Sequence, residues 1–150
     1  MYKKMLVPLD GSEFSECVLD HVRAIAKGCQ VPEVVLLGAA EPVTHQVYYM
    51  IGMENRLDDM QKETEKYVEG YLSKAADVLK KDDIAAKTVV VSGRPAEEIL
   101  DYVNKNQVDL IVMSTHGRSG VSRWVLGSVT DRVVRSSKAP VLTITPRECR

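Results

Sequence analysis

Two short segments in the last third of the chain carry the residue types from which proteins build phosphate sites. Small and hydroxyl residues fill much of positions 114–120 and 127–130. Glycines free backbone N–H groups, a helix beginning near Ser128 would present its unpaired N–H groups, and the hydroxyls of Ser128 and Thr130 would add donors. This pattern predicts a phosphate-binding cradle without a lysine. A tight turn followed by a helix N-cap would explain the same residues without any ligand.

Several motifs of nucleotide enzymes and hydrolases are missing from the sequence. The turn after the first predicted strand, residues 8–12 (PLDGS), has one glycine, whereas a dinucleotide site needs GxGxxG. Neither the P-loop pattern GxxxxGK[ST] nor the hydrolase pattern GxSxG occurs. Asp10 is the only acid beside the first strand, which disfavours a receiver domain. No motif pairs a nucleophile with a base, so we predict no catalytic residue and, at most, slow ATP hydrolysis.

Composition and charge argue against other classes of function. The 150 residues are 45% hydrophobic and 27% charged, which predicts one folded domain over residues 1–150. A formal net charge of −1 disfavours generic binding to nucleic acid or membrane surfaces, and no apolar run reaches the roughly 18–20 residues of a membrane helix. The three cysteines and three histidines share no ligand spacing. We therefore predict neither a metal site nor a disulfide framework, and we expect a reducing cytoplasm.

Apolar periodicity alternates between strand and helix along the whole chain. Strands are predicted near residues 4–8, 34–40, 86–91, 108–113 and 140–145, and helices near residues 14–26, 57–79, 96–103 and 128–136. Residues 41–53 have no clean period and are predicted to form a loop. Alternating strands and helices predict an α/β fold, a single doubly wound five-stranded parallel sheet with helices on both faces. Ligands bind such folds at the carboxyl ends of the strands.

In their order and spacing, the segments resemble the universal stress protein family. Nucleotide-binding members of the family carry G-x2-G-x9-G-[ST], in which Gly117 here matches the second glycine and Gly127-Ser128 match the end. The resemblance covers the whole chain through the strings YKKMLVPLDGSE, VVLLGAAEP, SGRPAEEIL, DLIVMSTHGRSG and LGSVTDRVVRSSKAPVLTI. It implies a Rossmann-like fold of the adenine nucleotide alpha hydrolase type. It also implies binding of ATP, ADP or AMP, with Mg²⁺ as a candidate companion of the nucleotide.

By this resemblance, an adenine nucleotide would contact several separate parts of the chain. Pro8 and Leu9 would flank the nucleotide, and Asp10 would lie near the ribose and phosphates. The alternative for Asp10 is that it caps the first helix. Ala39 would offer backbone groups to the adenine edge, and Met113 would pack on the base. The other implied contacts, around the ribose and phosphates, are Ser114, Thr115, His116, Gly117, Arg118, Ser119, Gly120, Gly127, Ser128, Val129 and Thr130.

Two positions depart from the pattern of the family. Ser114 replaces the first glycine of the motif. If that position needs a positive φ, serine costs about 1 kcal/mol or more, whereas a position that needs only a small side chain accepts it. Gly38 stands where relatives often carry histidine, which predicts a roomier base pocket.

The sequence therefore predicts a cytoplasmic stress protein that binds an adenine nucleotide and acts as a sensor or regulator. The alternatives are a nucleotide-independent dimeric interaction or chaperone-like module, and a slow ATPase in which Asp10 holds a divalent cation. The resemblance also implies a two-fold homodimer through the last strand, residues 140–145, whose exposed edge would pair with the same edge of a second copy. If Pro140, Pro146 and the tail at 147–150 instead block this edge, the chain would be a monomer. We expect no nucleic acid or membrane partner.

Overall fold

The computed structural model describes residues 1–42, 56–116 and 126–145. Its strands are β1 (Lys4–Pro8), β2 (Glu33–Ala40), β3 (Ala86–Ser92), β4 (Leu110–Ser114) and β5 (Val141–Ile144). Its helices are α1 (Glu13–Glu16), α2 (Leu19–Gly28), α3 (Leu57–Lys80), α4 (Pro95–Asn106) and α5 (Ser128–Ser136). Most of the predicted loop at 41–53 lies outside the described residues. No helix in the described part of the chain combines the length and apolarity needed to cross a bilayer.

The five strands form one parallel sheet in the order β3-β2-β1-β4-β5. The chain moves outward from β1 through β2 to β3, then returns to place β4 on the other side of β1. Met5 lies opposite Leu110, and Leu6 lies opposite Ile111, across this reversal. The arrangement confirms the predicted doubly wound α/β fold. Its switch point, where such folds bind ligands, lies at the carboxyl ends of β1 and β4.

Alternate residues of the central strands supply a core on each face of the sheet. Met5 and Val7 of β1 join the cluster covered by α2 and α3, whereas Leu6 joins the cluster covered by α4 and α5. All three side chains are fully buried. Because both faces of the sheet are covered, the central strands appear in the sequence as continuous apolar runs.

The first predicted helix is divided into two. α1 ends at Glu16 and α2 begins at Leu19, although Cys17 between them keeps a helical φ of −59°. Hydrogen bonds hold the short α1 to the turn before it, since the Ser15 hydroxyl donates to Ser12 O at 3.0 Å. The apolar periodicity continues across the break, and for this reason the sequence predicts a single helix.

The cysteines differ from the expectation in one respect. Cys17 is half-buried against the core cluster that α2 and α3 cover and is disulfide-bonded, whereas Cys29 is a free thiol. The sequence argues against a framework of several disulfides, and three cysteines without a close pair provide no signal for a single bridge at Cys17.

Candidate functional site

A cavity of about 250 Å³ opens at the switch point of the sheet. The predicted site residues that line it are Pro8, Leu9, Asp10, Ala39, Met113, Ser114, His116, Gly127, Ser128, Val129 and Thr130. Thr115 does not line the cavity; it is buried, and its N–H donates to Ile144 O at 2.8 Å. Four further predicted residues, Gly117, Arg118, Ser119 and Gly120, lie outside the described residues. Segments far apart in the sequence therefore meet around one cavity.

Asp10 organises the turn between β1 and α1. Its Oδ1 accepts hydrogen bonds from Ser12 N at 3.0 Å and from Ser12 Oγ at 2.6 Å. Ser12 is the N-cap of α1, because its Oγ accepts a hydrogen bond from Ser15 N at 3.1 Å. Gly11 has a φ of +79°, a conformation that residues with a Cβ rarely adopt. The alternative in which Asp10 itself caps the first helix is therefore wrong, and its carboxylate lines the cavity while it holds the turn.

Ser114 ends β4 at the cavity without backbone strain. Among the described residues other than glycine, the positive φ angles belong to Gln30, Asp83 and Gln107, so Ser114 does not have one. Of the two alternatives for the motif position, the one that requires a positive φ is wrong. The Ser114 hydroxyl accepts a hydrogen bond from His116 N at 3.3 Å, which links the strand end to the residues after it.

Thr130 joins the first turn of α5 to the end of β4. Its hydroxyl donates to Ser114 O at 2.8 Å, and both residues are buried. A hydroxyl has a single proton, so in this arrangement the Thr130 side chain does not also donate to a ligand. The hydroxyl that the sequence suggests as a phosphate donor thus has a structural partner here.

Helix α5 begins at the cavity with Gly127 as its N-cap. Helical hydrogen bonding starts with the bond from Asp131 N to Gly127 O at 2.8 Å, so the N–H groups of residues 128–130 precede it. The helix dipole adds partial positive charge at the same place. Gly127 N donates to Thr115 O at 2.9 Å, and a Cβ on Gly127 would lie 3.2 Å from that oxygen. A glycine therefore allows the start of α5 to close against the end of β4.

Among the described residues, the carboxylate side chains at the cavity come from two acids, and one histidine lies beside them. Asp10 and Glu41 both line it, together with His116, whose Nδ1 lies 2.9 Å from Thr115 Oγ1. Among the described residues, no lysine or arginine lines the cavity, and no cluster of three His, Cys, Asp or Glu side chains is placed to hold a metal ion. In the described wall, attraction for an anion comes from the N-terminus of α5.

Some residues of the wall are missing from the sequence-based prediction: Ser15, Leu37, Glu41, Pro95 and Ile99. Glu41 directly follows β2, so the rule that parallel strands end at one edge of the sheet would have found it. Pro95 and Ile99 belong to α4, which crosses the sheet from the end of β3. Their apolar periodicity predicts that this face of α4 is buried. The periodicity does not tell which residues of the face pack against the core and which line the cavity.

Gly38 is not part of the cavity wall. A Cβ at this position would lie 2.5 Å from Val68 Cγ1 and 2.8 Å from Tyr71 Oη, both on α3. Helix α3 therefore fills the space that the glycine leaves. The expectation of a roomier base pocket is wrong for this reason.

An all-parallel sheet with a cleft at its switch point defines the doubly wound class of α/β protein. The chain belongs to the universal stress protein family, whose family model matches residues 1–145. It is 32% identical to the universal stress protein MJ0577 of Methanocaldococcus jannaschii, with 96% of this chain and 95% of the relative covered. It is also 32% identical to the universal stress protein YxiE of Bacillus subtilis, with 96% and 99% covered.

Solved structures of related proteins have the same fold. The structure of MJ0577 matches with a TM-score of 0.82 at 31% identity, over 97% of this chain and 96% of that one. A universal stress protein in complex with cAMP matches with a TM-score of 0.71 at 24% identity, over 95% of this chain and 97% of the other chain. The universal stress protein of Archaeoglobus fulgidus in complex with dAMP matches with a TM-score of 0.67 at 20% identity, over 95% of this chain and 98% of the other chain. For the last two proteins, the likeness concerns the fold alone.

Proposed function

We propose that the chain binds an adenine nucleotide in the switch-point cleft, and that through this binding it acts as a sensor or regulator in the stress response. The observation that carries the proposal is the combination of an apolar wall and a helix N-terminus in one cavity. A nucleotide needs both, because its base is a flat, largely apolar ring system and its phosphates are anions.

The base would lie against the apolar part of the wall. Leu37, Ile99 and Met113 come from three different elements and line the same cavity. The phosphates would lie at the start of α5, where residues 128–130 present backbone N–H groups. The neighbours of similar fold that hold cAMP and dAMP support adenine as the base.

Asp10 would lie between these two regions and accept hydrogen bonds from ribose hydroxyls. Its carboxylate and that of Glu41 also repel anionic phosphates. We therefore propose that Mg²⁺ accompanies a nucleotide with several phosphates, and that removing the cation weakens ATP binding more than AMP binding.

A sensor or regulator fits the chemistry of the wall better than an efficient enzyme. Asp10 and Thr130 are polar side chains of the cavity, and both make hydrogen bonds that hold the fold. A general base must instead be placed to take a proton from the substrate or from water. We propose that occupancy of the cleft, rather than turnover, is the signal, and that any ATP hydrolysis is slow.

Thermal unfolding in the presence of nucleotides tests the binding proposal. AMP, or ATP with Mg²⁺, should raise the melting temperature, because a ligand that binds only the folded state stabilises it by about 2.7 kcal/mol at one hundred times its Kd. Mass spectrometry of small molecules released from the purified protein should detect an adenine nucleotide. No shift at millimolar nucleotide would refute the proposal.

A dimeric interaction module is the second candidate function, and the position of β5 favours it. β5 lies at the edge of the sheet, and Leu142 on it is 38% exposed. We propose that this edge pairs with the same edge of a second copy. A dimer that forms equally well with and without nucleotide, in a protein whose melting temperature no nucleotide changes, would favour this function. A cytoplasmic location stays a prediction under either proposal.

A further inference from the structure

Tyr71 of α3 lies outside the cavity wall and yet holds the turn that forms one side of it. The side chain is 8% exposed, and its hydroxyl donates to Leu9 O at 2.8 Å in a buried hydrogen bond. Leu9 lines the cavity, and its own N–H donates to Leu37 O at 2.8 Å. Tyr71 therefore fixes the peptide at which the chain leaves β1 and approaches Asp10.

Two glycines make room for the Tyr71 side chain. A Cβ on Gly11 would lie 3.0 Å from Cδ1 and Cε1 of the ring, and a Cβ on Gly38 would lie 2.8 Å from the hydroxyl oxygen. The Cβ at Gly38 would force a shift because it lies under 3.0 Å from the hydroxyl oxygen, and the Cβ at Gly11 would make the ring yield by a few tenths of an ångström. The position of the tyrosine thus depends on two other elements of the fold.

We propose that Tyr71 is a positioning residue, which raises the affinity for nucleotide without touching the ligand. It holds the turn of residues 9–11 in the conformation that presents the Asp10 carboxylate to the ligand. Loss of its hydroxyl would leave the buried carbonyl of Leu9 without this donor and favour other conformations of the turn. Apparent affinity falls in proportion to the fraction of molecules in the competent conformation. The inference rests on the proposed nucleotide site.

Tyr71→Phe tests the inference, and the chain offers a matched control. Titration calorimetry with AMP, and with ATP and Mg²⁺, should show affinity weaker by about five- to tenfold, the effect expected for one hydrogen bond. Tyr67→Phe makes the same substitution on the same helix, at a side chain that is 64% exposed. Because Tyr67 packs edge-on against Tyr71 through its ring, the phenylalanine retains that contact and affinity should not change.

A second pair of variants separates positioning from a general loss of stability. Gly38→Ala leaves the tyrosine in the sequence but crowds its hydroxyl, so it should also weaken nucleotide binding although Gly38 does not line the cavity. Leu79→Val lowers stability from the far end of α3, where Leu79 is fully buried. It should leave affinity unchanged. An equal loss of affinity in both variants would overturn the inference.

Amide hydrogen exchange reports the turn directly and does not depend on a ligand. The Asp10 N–H, which donates to Ser15 Oγ at 3.2 Å, should exchange faster in Tyr71→Phe than in the unmutated chain, and the Val90 N–H in β3 should not. If the unmutated chain binds no nucleotide, the proposed function fails, and exchange alone decides whether Tyr71 holds the turn. If the chain binds and Tyr71→Phe binds equally well, or if Asp10 exchange is unchanged, the positioning role is refuted.

Discussion

Replacing Thr130 with valine tests whether one buried hydrogen bond holds α5 against β4 at the cleft. Valine keeps the branching and nearly the size of threonine and replaces the hydroxyl with a methyl group, which can neither donate nor accept a hydrogen bond. Thr130 and Ser114 are 4% and 5% exposed, and the bond between Thr130 Oγ1 and Ser114 O is 2.8 Å long. Loss of the donor to a buried acceptor costs about 2 kcal/mol. In a chain of this size, that free energy lowers the melting temperature by about 4–8 °C.

Thr64→Val is the control for this experiment. The Thr64 hydroxyl donates to Met60 O at 2.9 Å within α3, and this carbonyl is also the expected partner of the Thr64 N–H in a regular helix. Its loss should change stability by less than about 0.5 kcal/mol. Both variants are unfolded by heat and by urea without nucleotide and at one protein concentration, since binding and association shift the transition. Equal destabilisation of the two would refute the reasoning and mean that apolar packing alone holds α5 at the cleft.

Three further changes test the cleft, the sheet edge and a surface carboxylate. Gly127→Val should weaken nucleotide binding by roughly tenfold, because the valine side chain would meet the end of β4. The control is Gly70→Ala, which has open space around it and should leave the affinity unchanged. Equal affinities of the two variants by calorimetry would contradict the prediction. Thr143→Pro removes a backbone donor from the middle of β5 and should shift a dimer to monomers in light scattering, unless the unmutated chain already has the mass of one chain. The hydrogen bond from Ser92 lowers the pKa of Glu65 below its ordinary value of 4.5, so Ser92→Ala should raise that pKa in an NMR titration. The stabilising effect of the bond is present above pH 4.5 and is lost as the pH falls through the lowered pKa, and an unchanged titration would contradict it.

The sequence predicts the sheet well because burial on both faces leaves a clear pattern. Continuous apolar runs identify the central strands, and the observed β1 has the predicted bounds. The helix at Ser128–Ser136 is also predicted correctly, since a glycine and a serine mark its start. The break after Glu16 leaves no such pattern. It depends on hydrogen bonds of Ser15 to the preceding turn, while the apolar periodicity runs on unchanged.

The site is predictable where it follows directly from strand ends. Asp10 and Ser114 lie at the ends of parallel strands, and parallel strands end at one edge of the sheet. Contacts made by a crossing helix are harder to predict, because they depend on the path and rotation of the helix. Ile99 at the cavity and Tyr71 beneath it are of this kind, and in the sequence both are ordinary members of an apolar helix face.

Gly11, Gly38 and Tyr71 belong to three separate parts of the chain, yet they share one small volume. Evolution can therefore enlarge one of them only if another becomes smaller or the helix moves away. A relative with a bulky residue at the position of Gly38 should lack an aromatic side chain at the position of Tyr71, or should carry α3 further from the sheet. The three positions should vary together among descendants of one ancestor, although no two of them are neighbours in the sequence.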